Sequence, residues 1–144
     1  MRSMELDFGD KTIGIAVSDA LGWTAQSKAV IRRKNLTEDF LELQEYITEY
    51  GIEEIVVGLP LNMDGTAGGR VEKTMQFVNF LKKRLDIPIV LWDERLSSKQ
   101  AEDILLEADL SRKKRKQFID QLAAAIILQS YLDAKKKKGD KKDE

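Results

Sequence analysis

The chain contains neither cysteine nor histidine, and these two absences exclude many familiar kinds of active site. Without cysteine there is no disulfide framework, no zinc–thiolate site and no thiol nucleophile. Without histidine there is no Ser–His triad and no imidazole base. Any hydrolytic chemistry must therefore use carboxylates, lysine or tyrosine, or a hard metal ion that is held by oxygen ligands.

Long apolar runs are missing as well. No stretch approaches the roughly 18 apolar residues of a membrane-spanning helix, and the N-terminal residues lack the pattern of a signal peptide. We therefore expect a cytoplasmic protein that has no membrane partner. The 144 residues, of which 42% are hydrophobic and 34% charged, predict a single soluble domain that is large enough for a proper core.

An excess of charge of one sign is missing too, because the net charge is only −1. The chain as a whole therefore has no general electrostatic attraction to nucleic acid. Basic residues are nevertheless clustered at 32–34, 112–116 and 135–138. The last cluster opens a charged tail over 135–144, which we expect to be disordered behind a folded domain at 1–134. That tail is either a solvated end or a contact for a polyanion.

Periodicity predicts an α/β protein. Met4, Leu6 and Phe8 alternate with polar residues, and a second alternation over 13–17 follows a Gly-Asp turn, so the first 18 residues predict a β-hairpin. A turn over 20–27 should lead to a short third strand at 29–31. The later predicted elements are a helix from Asn35 or Thr37 to Tyr50, a strand at 54–58, a helix at 71–85, a strand at 89–92, a helix at 99–107 and a last helix at 117–134. This order predicts one mixed sheet with helices on both of its faces.

Acidic residues stand at the ends of two of the predicted strands. Asp7 lies late in the first strand, where a carboxylate is costly to bury unless something positive meets it. It is therefore either a turn residue or a ligand for a cation, and Gly9 would let a group approach the backbone closely. Asp93 and Glu94 end the last strand. If the two strands run parallel, their acids share the edge at which open α/β sheets collect ligands.

Asp120 is the third candidate acid, because it precedes the apolar run 122–128 on a helix face that should point at the sheet. Three acids at one edge would repel each other unless a divalent cation held them. Mg²⁺ or Mn²⁺ suits oxygen ligands, and such an ion can support phosphodiester cleavage without histidine. The alternatives are that Asp93 and Glu94 form a solvated strand end paired with Arg95, and that Asp120 binds a backbone group or a lysine.

Basic residues near these acids are candidate contacts for a nucleic-acid backbone. Arg70 follows two glycines at the start of a helix, whose first amides could hold a phosphate; the alternative is an ordinary mobile connection. The basic segment before Asp120 could hold the backbone beside the acids, or it is a solvated helix start. The complete predicted set is Lys11, Arg70, Arg95, Arg112, Lys113, Arg115 and Lys116.

Four stretches match a known family in order and at its spacing. They are Leu6-Asp7-Phe8-Gly9 with 12–19, Val57-Gly58-Leu59-Pro60 with Asn62 and Gly65, the segment 92–97, and Ser111-Arg112 through Ile119-Asp120 to Ala124. The chain resembles the YqgF (RuvX-like) family. These are bacterial proteins with an RNase H-like fold, described as Holliday-junction-resolvase-like and as pre-16S rRNA nucleases. The matched stretches span nearly the whole chain up to Asp133.

The resemblance implies a five-stranded RNase H-like sheet and a metal-dependent nuclease site at Asp7, Glu94 and Asp120, with Asp93 as a supporting acid and metal ligand. It implies an endonuclease that processes precursor 16S ribosomal RNA in ribosome biogenesis. The alternative is a Holliday-junction-type nuclease that acts on branched DNA in recombination or repair. We expect a monomer or a weak homodimer.

Glu5 departs from the family pattern, which usually has glycine at this place. Strand alternation directs Glu5 to the same side as Asp7, about 6.6 Å along the strand. A second carboxylate there either joins the metal shell or crowds it.

Two readings from other functional classes remain open. Asp-x-Gly followed by Lys-Thr also occurs in the phosphate loop of actin-like sugar kinases and chaperone ATPases, which need two domains that close on ATP. The second of these readings is a non-catalytic module that binds RNA.

Overall fold

The computed structural model describes residues 1–61, 64–65, 67–95 and 123–137. The strands are β1 (Ser3–Phe8), β2 (Thr12–Ser18), β3 (Ala25–Arg32), β4 (Glu54–Leu59) and β5 (Ile89–Asp93). The helices are α1 (Leu36–Tyr50), α2 (Gly69–Lys82) and α3, which is helical over 123–137. The five strands form one mixed sheet in the order β3-β2-β1-β4-β5, so the predicted sheet is confirmed.

The sheet joins an antiparallel half to a parallel half. The predicted hairpin is present, with Met4 opposite Val17 and Phe8 opposite Ile13, and β3 pairs with β2 in the antiparallel direction. In contrast, β4 pairs in parallel with both β1 and β5. The carboxyl ends of β1, β4 and β5 therefore lie at one edge of the sheet, as the interpretation of the acids requires.

The third strand is longer than its sequence predicts. The predicted strand at 29–31 is present, but the predicted turn over 20–27 is too long, because β3 begins at Ala25 and runs to Arg32. Most side chains of this edge strand are exposed, so Gln26, Ser27 and Lys28 show no apolar alternation. Backbone pairing with β2 holds them in the strand, through a register shift between Ile15 and Ala16.

Helix α1 begins and ends at the predicted signals. The Asn35 side chain accepts a hydrogen bond from the Glu38 backbone N–H at 2.9 Å, which is the usual role of an N-cap residue. Gly51 ends the helix in the left-handed conformation, with φ of 59°, where glycine has no Cβ penalty. Helix α2 is shifted from the predicted 71–85 to 69–82, since the apolar stripe marks its buried face and not its ends.

Each face of the sheet has its own helices and its own core. Helices α1 and α2 cover one face, where the large apolar side chains of β1 and β2 meet Leu43, Phe77 and Leu81. Helix α3 covers the other face, where Leu128 and Leu132 pack on the small cluster around Ala16 and Val56. The predicted packing of the last helix against the sheet is therefore confirmed over the described residues.

Part of the predicted helical content lies outside the described residues, namely the helix at 99–107 and the first turns of the helix at 117–134. Within the described ranges, no helix has both the length and the apolar character needed to cross a membrane.

Candidate active site

Asp7 lies at the carboxyl end of β1, opposite Gly14 of the hairpin partner strand. A Cβ placed on Gly14 would lie 3.5 Å from the Asp7 Cβ and 3.6 Å from the Ala124 Cβ. Ala124 of α3 therefore lies close to the hairpin, beside Asp7. Asp7 is half-buried.

Glu94 reaches the same edge from the other parallel strand. It follows β5 directly, and its backbone N–H donates to the Leu59 carbonyl at 3.3 Å. Burial, and next the nearby Asp7 carboxylate, raise the pKa of Glu94 to about 7, whereas the Arg70 guanidinium opposes this rise. Asp7 and Glu94 are thus close enough to disfavour each other's charge, which is the convergence that the strand ends predict.

Glu5 brings a third carboxylate to this place. Its side chain is fully buried, and neither carboxylate oxygen has a hydrogen-bond partner among the described residues. Burial first, then Asp7 and Glu94, raise the pKa of Glu5 well above its usual value; the Gly58 peptide lowers it only in part. Strand alternation therefore predicts the direction of Glu5 correctly, and the structure adds that its carboxylate is buried beside Gly58, near Asp7 and Glu94.

Gly58 of β4 lies directly beside the carboxylates of Glu94 and Glu5. A Cβ placed on Gly58 would lie 2.7 Å from the Glu94 Oε2 and 3.2 Å from the Glu5 Oε1. The first distance is shorter than a real Cβ contact allows, so any side chain here would displace Glu94. Sequence reasoning gives Gly58 no role in the site, although a glycine that closes an apolar strand is a known signal of close approach by another group.

Asp93 is engaged elsewhere, in the way that the alternative reading of the strand end describes. The Arg95 Nη2 lies 2.6 Å from the Asp93 Oδ2, and the Arg95 backbone N–H donates to Oδ1 at 3.0 Å. The Arg95 guanidinium accordingly holds the pKa of Asp93 below its usual value. Asp93 also alternates with Trp92, which packs toward α3, so it faces the other side of the sheet from Asp7.

Three of the predicted basic contacts lie within the described residues. Arg70 is exposed in the first turn of α2 and acts electrostatically on Glu94. Lys11 is exposed in the turn between β1 and β2, at the same edge. Arg95 is less available, because it holds Asp93 and its Nη1 lies 3.3 Å from where a Cβ of Gly65 would stand.

The remaining predicted site residues lie outside the described residues. These are Asp120, Arg112, Lys113, Arg115 and Lys116. Within the described part of the chain, no group of three or more acidic side chains is placed to hold a metal ion. Asp7 and Glu94 would therefore need a further ligand, and Asp120 stays a prediction.

Comparison with known proteins agrees with this architecture. The family described as RuvX, Holliday junction resolvase, matches residues 1–134. The chain belongs to the RuvX family. Its relatives include a protein of Desulforamulus reducens named "Putative pre-16S rRNA nuclease", which is 54% identical over 134 residues, 93% of this chain and 98% of the relative. A protein of the same name from Halothermothrix orenii is 56% identical over 137 residues, 95% and 98% of the two chains.

Solved structures are similar in fold at much lower identity. RuvC of Thermus thermophilus, determined in complex with a Holliday junction substrate, gives a TM-score of 0.55 at 15% identity and covers 94% of this chain and 95% of that one. The Holliday junction resolvase of fowlpox virus gives 0.50 at 13% identity, covering 93% and 99%. The predicted RNase H-like fold and the resemblance to the RuvX family are both confirmed.

Proposed function

We propose that this protein is a divalent-metal-dependent endonuclease that hydrolyses phosphodiester bonds in structured RNA, with precursor 16S ribosomal RNA as its substrate. Relatives that are 54% and 56% identical along almost their whole length bear the name of a pre-16S rRNA nuclease. Family membership makes the chain an enzyme that hydrolyses nucleic acid.

The convergence of Asp7 and Glu94 at the carboxyl edge of the parallel strands is the observation that carries the proposal. Each disfavours the charge of the other, and Glu5 adds a buried carboxylate beside them. Like charges in a buried place are tolerated only when a proton or a cation compensates them. A chain without histidine or cysteine, with oxygen ligands gathered at one edge, suits a hard divalent cation.

We assign Asp7, Glu94 and Asp120 as the residues that would hold Mg²⁺ or Mn²⁺. Asp120 stands four residues before Ala124 in the sequence, so the helix predicted over 117–134 would bring Asp120 within about one turn of Ala124, which lies near Asp7. When bound, such an ion supplies the activation of water and the stabilisation of the leaving oxygen. Asp93 is left out of this set because Arg95 engages its carboxylate.

The basic residues have a separate task in this proposal. Arg70 and Lys11 are exposed at the acidic edge, where their cations would bind the phosphates on either side of the cleaved bond. Arg112, Lys113, Arg115 and Lys116 would extend this contact along the strand. Arg95 binds Asp93 and lies against Gly65. It would instead stabilise the conformation of the chain at the edge of the site.

A DNA four-way junction is the second candidate substrate, since the family is described as a Holliday junction resolvase. The reading of a non-catalytic RNA-binding module, which predicts that the loss of Asp7 leaves function unchanged, loses its support because the family is one of nucleases. The ATP-binding reading of the Asp-x-Gly turn loses its support, because the family match accounts for the same residues.

Cleavage assays on precursor ribosomal RNA and on four-way DNA junctions test the proposal. Each substrate is incubated with Mg²⁺, with Mn²⁺ and with a chelator. The Asp7→Asn and Asp120→Asn variants should lose at least about 100-fold in cleavage rate, roughly 2.7 kcal/mol of barrier, while they keep most of their binding. Asp10→Asn is the matched control, because Asp10 is an exposed acid in the turn that follows β1, and its carboxylate pairs with Lys73 at 3.5 Å.

Three outcomes would contradict the proposal. They are cleavage that persists in the chelator, undiminished cleavage by Asp7→Asn, and an equal loss in Asp10→Asn. Preference for the junction over the RNA would move the substrate to branched DNA and leave the assigned acids in place.

A further inference from the structure

A second exposed feature lies at the opposite end of β1 from the acids, where β2 ends and the chain turns. Here a cavity of about 290 Å³ is lined by Met1, Ser3, Leu21, Gly22, Trp23, Leu132, Lys135 and Lys136. Trp23 is 56% exposed and Leu21 is 78% exposed. Ser3 and Asp7 are about 13 Å apart along the strand, so this cavity is separate from the candidate active site.

The exposed indole of Trp23 stands on a rigid support. The Asp19 Oδ1 accepts from the Trp23 backbone N–H at 2.8 Å, and its Oδ2 accepts from the Thr24 hydroxyl at 3.0 Å. From the other side, the Gln129 Nε2 of α3 donates to the Trp23 carbonyl at 3.0 Å. The backbone that carries this exposed ring is therefore anchored on both sides, so little ordering of the loop remains to be done when a partner arrives.

Positive charge lies over this ring. The Lys136 Nζ lies 3.6 Å from the centroid of the Trp23 ring, and its neighbour Lys135 on α3 pairs with Glu54 at 3.3 Å. The lining residues include these two lysines and no acidic side chain, and the lysine run continues in the sequence to residue 138. Aromatic rings beside cationic side chains are how proteins hold single-stranded nucleic acid, with bases stacked and phosphates paired.

We propose that Trp23 and Lys136 form a second nucleic-acid contact, which stacks an unpaired base of an RNA strand and binds the adjoining phosphate. The choice of RNA rests on the proposed function; the contact itself rests on the ring, the lysines and their fixed geometry. An apolar protein partner would match Leu21 and Trp23 but not the lysines, so the charge favours a polyanion. This contact gives the basic segment at 135–138 a task that the candidate active site does not account for.

Tryptophan fluorescence provides a direct test, because the chain has only two tryptophans. Trp92 packs edge-on against Tyr131 with ring centroids 5.5 Å apart, so a Trp92→Phe variant leaves Trp23 as the only reporter. The variant also carries Asp7→Asn, and the buffer contains a chelator, so that no cleavage interferes. Single-stranded RNA is titrated in one arm, single-stranded DNA in a second and an RNA duplex in a third.

We expect saturable quenching of Trp23 by single-stranded RNA, which the duplex does not reproduce. Anisotropy of a labelled RNA measures the same binding without any change to Trp92. In that assay, Trp23→Ala should weaken binding at least about fivefold, whereas Trp23→Phe keeps a stacking surface and should weaken it less. Lys136→Gln should reduce the slope of log affinity against log salt by about one.

Lys28→Gln is the matched control for charge. Lys28 is also exposed and also lies over an aromatic ring, 5.6 Å from the centroid of Tyr50, but it belongs to β3. This variant should leave both affinity and salt slope unchanged.

Several results would overturn the second contact, and they differ from a failure of the proposed function. Unchanged RNA binding in Trp23→Ala and Lys136→Gln refutes it, as does equal quenching by the duplex or an equal effect of Lys28→Gln. RNA binding that ignores Trp23, together with Trp23-dependent self-association, would assign the surface to a protein partner and refute it as well. If the unaltered protein does not cleave RNA but its binding of RNA still depends on Trp23, the proposed function fails and this contact stands.

Discussion

Strand β1 presents different side chains to the two faces of the sheet. Along β1, Met4, Leu6 and Phe8 point to the face covered by α1 and α2 and enter the main core. Glu5 and Asp7 alternate with them and point to the face covered by α3. The period of two along a strand therefore lets one segment stabilise the fold with every second residue and build the site with the others.

The energetic consequence is that the two sets of β1 side chains contribute with opposite sign. Full burial of an apolar side chain such as Leu6 stabilises the fold by roughly 1.5–3 kcal/mol. Burial of a carboxylate such as Glu5 beside other acids destabilises it. The apolar cores on both faces compensate for these acids, so substitutions at the apolar and at the acidic positions of β1 should shift stability in opposite directions.

Leu6→Ala should produce the largest effect, a loss of about 2–5 kcal/mol in the free energy of unfolding. Leu6 is completely buried, and its removal leaves a cavity that the neighbouring strands cannot fill. Denaturant unfolding measures the change. Leu41→Ala is the control, because Leu41 is 56% exposed on α1 and its loss should change stability by no more than about 0.5 kcal/mol. Equal losses in both variants would contradict the division between the faces.

Glu5→Gln should act in the opposite direction and stabilise the metal-free protein by on the order of 1–2 kcal/mol at neutral pH, since it removes a buried acid whose charge Asp7 and Glu94 disfavour. Unfolding in chelator measures this gain. Glu54→Gln is the matched control: Glu54 is also buried, but it accepts from the Ser3 hydroxyl and pairs with Lys135, both at 3.3 Å. That variant should be destabilised. A loss of stability in Glu5→Gln would show that the carboxylate has a favourable partner.

Gly58→Ala and Gly14→Ala should give the smallest and most local difference. The new Cβ at position 58 would stand 2.7 Å from the Glu94 Oε2, whereas the one at 14 makes only ordinary contacts of 3.5 Å and 3.6 Å. We expect about a tenfold loss of cleavage in Gly58→Ala, about 1.4 kcal/mol, and nearly unchanged cleavage in Gly14→Ala. The rise in melting temperature on adding Mn²⁺ should shrink in Gly58→Ala alone. Equal behaviour of the two variants would remove Gly58 from the site.

Much of this architecture is predictable because strong local signals carry it. Alternation locates β1 and β2, while Asn35 and Gly51 set the bounds of α1 through capping chemistry. The length of the edge strand β3 is underestimated because backbone pairing with β2 holds its polar residues in the strand. Such pairing does not require an alternation of apolar and polar side chains.

The site is predictable to a lesser degree, because it depends on which face each residue takes. Parallel strands place Asp7 and Glu94 at one edge, and that could be inferred from their positions at strand ends. The residue that Asp93 contacts depends on the face of the sheet to which its position in β5 directs it. The sequence offers the nearby Arg95 as an alternative partner. The role of Gly58 depends on where two side chains end in space, which no spacing in the sequence reports.

The position of helix α3 in the chain determines when one face of the sheet is covered during synthesis. The Gln129 Oε1 accepts from the Ala25 backbone N–H at 2.9 Å, a contact that spans 104 residues. Synthesis from the N-terminus produces all five strands before this helix, so Ala16 and Val56 remain uncovered while the chain is still growing. A chain that has been synthesised only as far as β5 and Glu94 thus carries both Asp7 and Glu94 but lacks α3, the helix that covers this face of the sheet.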